Sequence, residues 1–296
     1  MMLAGDKKRQ RGFTLIELLT ALGIFLLITG AAFTLLSSSQ QRYRTESQVL
    51  TSFQEARLGL DQMVRDINDA GFPPATYVNA DPTKVTSTPF AWSTGAGYST
   101  NPPPPPNPCQ IGTAGGGTCF TASGGAAPGD FDIIIETNPN PGDPTCAPNC
   151  PVQWIRYQLG GPNGTTLMRA VANKASGADP DGSTLGVLVP FVQNVVNNSP
   201  NLQIGQFQLS AAYPAVFPGG NPVPIFQYTC DTPSVSQSLP LPTAACPLAA
   251  GADNSPNNIR DVAITLIVAA PLPDATTGQP RLVQLEGRGR RINPNQ

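Results

Sequence analysis

Histidine is absent from this 296-residue sequence. Its absence removes the commonest general base and metal ligand, so Ser-His-Asp and Cys-His arrangements and most zinc chemistry are excluded. Charge is scarce as well. Asp, Glu, Lys and Arg make up only 12% of the residues and the formal net charge is -2, which leaves no basic footprint of the kind that nucleic-acid binding needs. No nucleophile motif is present and no pair of carboxylates is singled out for glycosidase-type work. The sequence therefore nominates no catalytic residue, no cofactor-binding residue and no metal set, and reads as a non-enzyme. What it has in plenty is Pro (33) and Gly (29), which imply many turns and long surface connections around a chain long enough to bury a core.

The longest feature is apolar. From Phe13 to Leu36 there is no proline and no charge except Glu17. As a helix this run spans ~36 Å, against a hydrocarbon core of ~30 Å. It is too long for the apolar part of a secretory signal and has no small-residue exit. Gln10 separates Arg9 from Arg11, so the twin-arginine pattern is missing too. Lys7, Lys8, Arg9 and Arg11 precede the run and should hold that end in the cytoplasm, which sends the C-terminal bulk across the membrane. A carboxylate inside such a span costs about 2.5 to 3.5 kcal/mol at the bilayer centre, so Glu17 calls for a partner.

Beyond the span, Val49, Phe53, Ala56, Leu60, Met63, Val64 and Ile67 recur at spacings of three and four, the period of an amphipathic helix. With no proline before Pro73, one helix is expected from Phe13 to Gly71, and about 59 residues would make a rod of ~88 Å. Gly71, Phe72, Pro73 and Pro74 mark its end. Gly23, Gly30 and Gly59 are either points of close helix packing or incidental small residues.

Residues 75–129, with "NPPPPPNP" and "GTAGGGT", read as a polyproline segment and loops. Strands follow. Phe131, Ile133 and Ile135 alternate on one face, as do Ile155, Tyr157 and Leu159, and "TTLMRAV" follows a "GGPNG" turn. Further strands are expected over 184–196, 202–209 and 223–229, and in "IRDVAITLIVAA", with Val262, Ile264, Leu266 and Val268 inward. "RLVQLE" closes the series before an Arg-rich tail of Arg288, Arg290 and Arg291, expected to be solvated. "ADPDGS", with Asp179, Asp181 and Ser183, looks like a piece of a calcium loop without its bidentate Glu, and a solvated turn is the simpler reading.

The six cysteines are Cys109, Cys119, Cys146, Cys150, Cys230 and Cys246, all in the portion assigned to the oxidising side. Closeness along the chain suggests Cys109 with Cys119, Cys146 with Cys150 and Cys230 with Cys246, among fifteen possible connectivities. The expected fold class is α+β: a long N-terminal transmembrane and amphipathic helix packed on an antiparallel β-sheet head with long Pro/Gly loops.

The residues "RGFTLIELL" resemble the class III leader of type IV prepilins and type II secretion pseudopilins. The resemblance implies leader cleavage between Gly12 and Phe13 by a prepilin peptidase, N-methylation of Phe13, and pairing of Glu17 with the Phe13 amine of a neighbouring subunit during assembly. The order "EARLGLDQMVRDINDAGF", "DFDIII", "WIRYQL", "LMRAV", "LVPFVQNVV" and "IRDVAITLIVA" is similar to the PilW-like minor pilin family and, more distantly, to the J-type pseudopilin. On that resemblance the chain divides into a leader (1–12), a membrane and assembly half-helix (13–36), an amphipathic half-helix (37–71) and a β-rich periplasmic or extracellular head (72–296). The expected role is a minor type IV pilin that helps initiate or caps the pilus. A J-type pseudopilin and a surface adhesin exported by a pilin leader are the alternatives. Its partners would be the prepilin peptidase, other minor and major pilins and the inner membrane, with no nucleic acid and no cofactor. The location would be the inner membrane as a single-pass protein, N-terminus cytoplasmic, and then the pilus or cell surface.

Overall fold

A computed structural model describes residues 12–72, 83, 86, 89–90, 130–138, 150–175, 178, 180–232, 243–246, 248, 256–274 and 277–291. The chain divides into two compact units, Met1–Ser47 and Gln48–Gln296. Helix α1 runs Leu15–Asn68. Its apolar side chains in the first unit are exposed, and Gly23 and Gly30 have no neighbour within 4 Å of where a Cβ would stand.

The second unit is α+β. Strands β1 (Asp132–Thr137), β2 (Gln153–Gly160), β3 (Thr166–Asn173) and β4 (Val189–Val192) form one antiparallel sheet in that order. A short hairpin, β5 (Gln203–Ile204) with β6 (Phe207–Gln208), follows. The second sheet has the order β10–β9–β7–β8, with β7 at Phe226–Asp231, β8 at Thr243–Ala245, β9 at Ile259–Ala269 and β10 at Leu282–Arg290. The chain from Asn194 to Val196 joins the sheets: Val195 N–H donates to Thr165 O, while Val196 N–H donates to Ile267 O and Ala269 N–H to Asn194 O. Asn197 completes the seam. Fully buried, it donates to Val223 O (3.1 Å) and Thr265 O (2.8 Å) and accepts from Ile267 N–H (2.8 Å), which uses its amide on three backbone groups that would otherwise lie unpaired in the core.

The alternation read from the sequence sets the inner faces. Ile133 and Ile135 lie opposite Tyr157 and Ile155, and these residues share one core cluster with Val262, Ile264, Leu266 and Val268 and with Ala56, Leu60, Met63 and Ile67 of α1. Gly71, at φ +83°, turns the chain after the helix. Three glycines admit α1 to the sheets. A Cβ on Gly59 would stand 2.4 Å from Val192, one on Gly287 2.8 Å from Leu60 and one on Gly289 2.4 Å from Ile67.

Polar bonds fix the helix in register. Asp66, buried, accepts from Tyr157 Oη (2.6 Å), Arg169 Nη2 (3.2 Å) and Gln62 Nε2 (2.7 Å). Burial, with the Asp66 carboxylate beside it, pushes the Tyr157 hydroxyl well above its ordinary value, so it remains a donor. Tyr157→Phe therefore removes one charge-assisted bond from a buried carboxylate that keeps two other donors. A loss of about 1.5 kcal/mol is expected, read by chemical denaturation, and an unchanged midpoint would show that Asp66 does not depend on it.

The outer faces of β1 and β2 are buried as well as the inner ones, and the elements that cover them correct several expectations. Helix α2 (Pro180–Leu185) lies over part of this face: Arg156, which holds Asp132 through two bonds (2.9 and 2.5 Å), also donates to Asp181 (2.6 Å). Burial pushes the Asp132 carboxyl up to about 6 against the opposing pull of Arg156. Lys174 and Glu136, both buried, pair at 2.6 Å beside Trp154 Nε1. The stretch 184–196 is accordingly not one strand. Pro180 suits a helix start, and Asp181 in the first turn faces the positive end of the helix dipole, so Pro180–Leu185 becomes α2, only Val189–Val192 forms a strand, and Val195 bridges singly to Val268. Asp181 is thus an ion-pair partner, not part of a solvated turn, and Asp179 lies outside the described residues. Residues 202–209 form the β5–β6 hairpin around Gly205 (φ +63°) and then helix α3 (Leu209–Ala212). The arginine tail is structured: Arg288 and Arg290 belong to β10 and pair with Asp261, and Arg291 is 6% exposed and donates to Asn257 O and Ile259 O.

Candidate assembly site

The N-terminal turn is built by four residues. Thr14 precedes the first residue of α1, its carbonyl accepting the first helical bond from Leu18 N–H (3.2 Å). Three residues on, Glu17 Oε2 accepts from both Thr14 N–H and Thr14 Oγ1, each at 2.9 Å, while Glu17 N–H donates to Thr14 Oγ1 at 3.4 Å. This reciprocal arrangement is a capping box: side chains at the first and fourth positions satisfy backbone donors that the helix start leaves open. Both bonds to the carboxylate end on Oε2. Glu17 Oε1 has no partner among the described residues and faces outward on an exposed side chain. Phe13, at the candidate junction, is 88% exposed.

Downstream, Leu15, Ile16, Leu18, Leu19, Leu22 and Ile24 are exposed along α1. The helix is long and apolar enough to cross a membrane, and none of its most apolar stretch is buried. A carboxylate with one oxygen committed to its own helix start and one open, next to the chain's candidate new amine, can receive a cation from outside the chain without uncapping the helix.

The family model for the prokaryotic N-terminal methylation motif matches residues 7–33. The chain carries a type IV pilin-like leader. That leader points to a structural protein of the type IV pilin or pseudopilin kind, anchored through an apolar N-terminal helix and processed by a prepilin peptidase. No curated protein and no solved structure matches the chain. The match covers Gly12, Phe13 and Glu17; of the basic leader, residues 1–11 lie outside the described residues.

The cysteines are partly placed. Cys230 on β7 is bonded to Cys246 just past β8, with the Cα atoms 5.4 Å apart. Cys150 is disulfide-bonded, and Cys109, Cys119 and Cys146 lie outside the described residues. Sequence reasoning missed Thr14 as the intrachain partner of Glu17, although Thr-x-x-Glu ahead of an apolar run is a capping signature. It also missed Asp66, which an amphipathic-helix reading assigns to the solvent side, and its partner Arg169 on β3.

Proposed function

We propose that the chain is a minor type IV pilin that helps initiate filament assembly or caps the filament, after cleavage between Gly12 and Phe13 and methylation of the Phe13 amine. The observation that carries this reading is the open Glu17 Oε1 within a leader motif matched over residues 7–33. Helix α1 then serves two ends: its exposed apolar part packs in the membrane and later among neighbouring subunits, while its Gln48–Asn68 part carries the head. Residues 1–12 act as leader, 13–36 as membrane and assembly segment, 37–71 as amphipathic segment and 72–296 as periplasmic and then surface-exposed head. In that oxidising setting Cys109 pairs with Cys119 and Cys146 with Cys150.

Mass spectrometry of the protein in sheared filaments tests it. The mature chain is expected to begin at methylated Phe13 and to be present far below the bulk subunit. An intact leader, or a cut after the apolar run, would overturn the assignment, and abundance equal to the bulk subunit would overturn the minor role.

A further inference from the structure

The head contains a cleft of about 210 Å³ where the β2–β3 turn, the segment after β4, strand β5 and the end of β9 meet. Asn163, Thr165 and Asn194 supply its polar groups, and Val196, Ile204 and Ala270 are among its apolar ones. Asn163 (φ 60°) and Asn194 (φ 59°) are the only non-glycine residues of positive φ among the described residues, and both line this one cleft. Their backbones are tied in place: Asn163 O accepts from Ser199 Oγ (3.2 Å) and Asn194 O from Ala269 N–H (3.0 Å). Their side-chain amides make no hydrogen bond among the described residues. Thr165 Oγ1 donates to Pro162 O, which leaves its lone pairs to accept.

The lining restricts what can fit. Among the described residues no charged one borders the cleft, so an ionic ligand would lose its hydration without finding a counter-charge there. A wholly apolar ligand would cover two open amides and leave them unpaired, at a cost that typically exceeds the gain from so small an area. A matching ligand has groups that both donate and accept, as hydroxyls do, together with one C–H face for the apolar wall. The volume lies below the ~300–1,000 Å³ common for drug-sized ligands, which limits the occupant to a single ring. We propose that this cleft binds one neutral sugar ring, the terminal unit of a glycan. Binding here is separate from leader processing and does not depend on the filament reading.

Saturation-transfer NMR tests the site on the full chain in a detergent without a sugar headgroup. The probes are glucose, galactose, N-acetylglucosamine and the anionic N-acetylneuraminic acid. Transfer to at least one neutral sugar is expected at about ten millimolar, the weak end of single-ring recognition, and none to the acid. The double variant Asn163→Gly with Asn194→Gly removes both amides while keeping a residue that accepts the left-handed backbone. It should melt as the wild type does and bind at least tenfold more weakly. If it melts early, Asn163→Gly alone, at an exposed turn, carries the comparison, with at least threefold weakening expected. Absence of transfer to all three neutral sugars, transfer to the acid alone, or undiminished binding by a folded variant would overturn the proposal and leave the cleft as a pocket for water.

Discussion

Glu17→Leu is expected to leave the chain inserted in the membrane and to abolish its incorporation into filaments. Removing the charge eases insertion, because the carboxylate costs the isolated span about 2.5 to 3.5 kcal/mol at the bilayer centre and less near an interface. The variant also loses the acceptor for Thr14 N–H and Oγ1, a capping loss of about 1 kcal/mol that a helix of this length tolerates. On the proposed assembly role, the larger consequence is that Oε1 is no longer there to meet a neighbouring Phe13 amine, and an ammonium in a dry helix bundle without a counter-ion is severely destabilising. Glu17→Gln separates the two roles. Its amide oxygen still caps the helix but carries no charge, so assembly should fail in this variant as well. Fractionation, cross-linking to other pilins and pilus counting give the answer. Normal cross-linking and pilus number in the Gln variant would show that capping alone explains the carboxylate.

The other large effect lies where α1 crosses β10. In Gly289→Val a side chain begins 2.4 Å from Ile67 Cγ2, 2.6 Å from Ile67 Cβ and 3.3 Å from the Val64 carbonyl oxygen. No rotamer of Ile67 clears a contact with its own Cβ, so the helix itself must lift from the sheet. Overpacking in a well-filled core costs about 1–3 kcal/mol and more where backbone must move, and about 3 kcal/mol or more is expected here. In a domain of this size that lowers the midpoint by roughly 6 to 12 °C. Gly287→Ala should be milder, since the nearest atom is the end of the flexible Leu60 side chain at 2.8 Å. Gly186→Ala meets nothing within 4 Å and should be neutral. Thermal unfolding of the three variants in detergent reads the order directly. Equal midpoints for Gly289→Val and Gly186→Ala would mean that α1 does not pack on β10 as described.

The carboxylate at position 17 illustrates how far local reasoning reaches. Its cost in an apolar run is legible from the sequence, and so is the Thr14-x-x-Glu17 spacing of a capping box. Which oxygen stays open is not legible, because that depends on the rotamer the helix start selects. The strands show the same division. Period-two alternation placed Ile133, Ile135, Val262, Ile264, Leu266 and Val268 on inner faces, and all of them are buried in one cluster. The same alternation puts Asp132, Glu136 and Arg156 on the opposite face, which a half-exposed antiparallel sheet would turn to water. Their burial is compensated by partners distant in sequence: Arg156 is held between Asp132 and Asp181, a pairing across 25 residues to α2, and Glu136 pairs with Lys174.

Elements whose cause lies within a few residues were thus determined by the sequence itself. These are the leader motif, the apolar helix, its stop at Gly71, the alternation of the strands and the absence of histidine, since period, capping and composition act locally. Tertiary structure decided the rest. The glycines of "EGRGR" look like a loose tail until α1 lies on them, and only then do Gly287 and Gly289 become the positions where no side chain fits. Arg291 looks solvated until Asn257 and Ile259 close over it, and burial then lowers it to about 10. The two left-handed asparagines stand 31 positions apart in the chain and line one cleft only because the β2–β3 turn and the segment after β4 meet at the same seam. Contacts between distant segments depend on the summed packing of the sheets, and no local period records that sum.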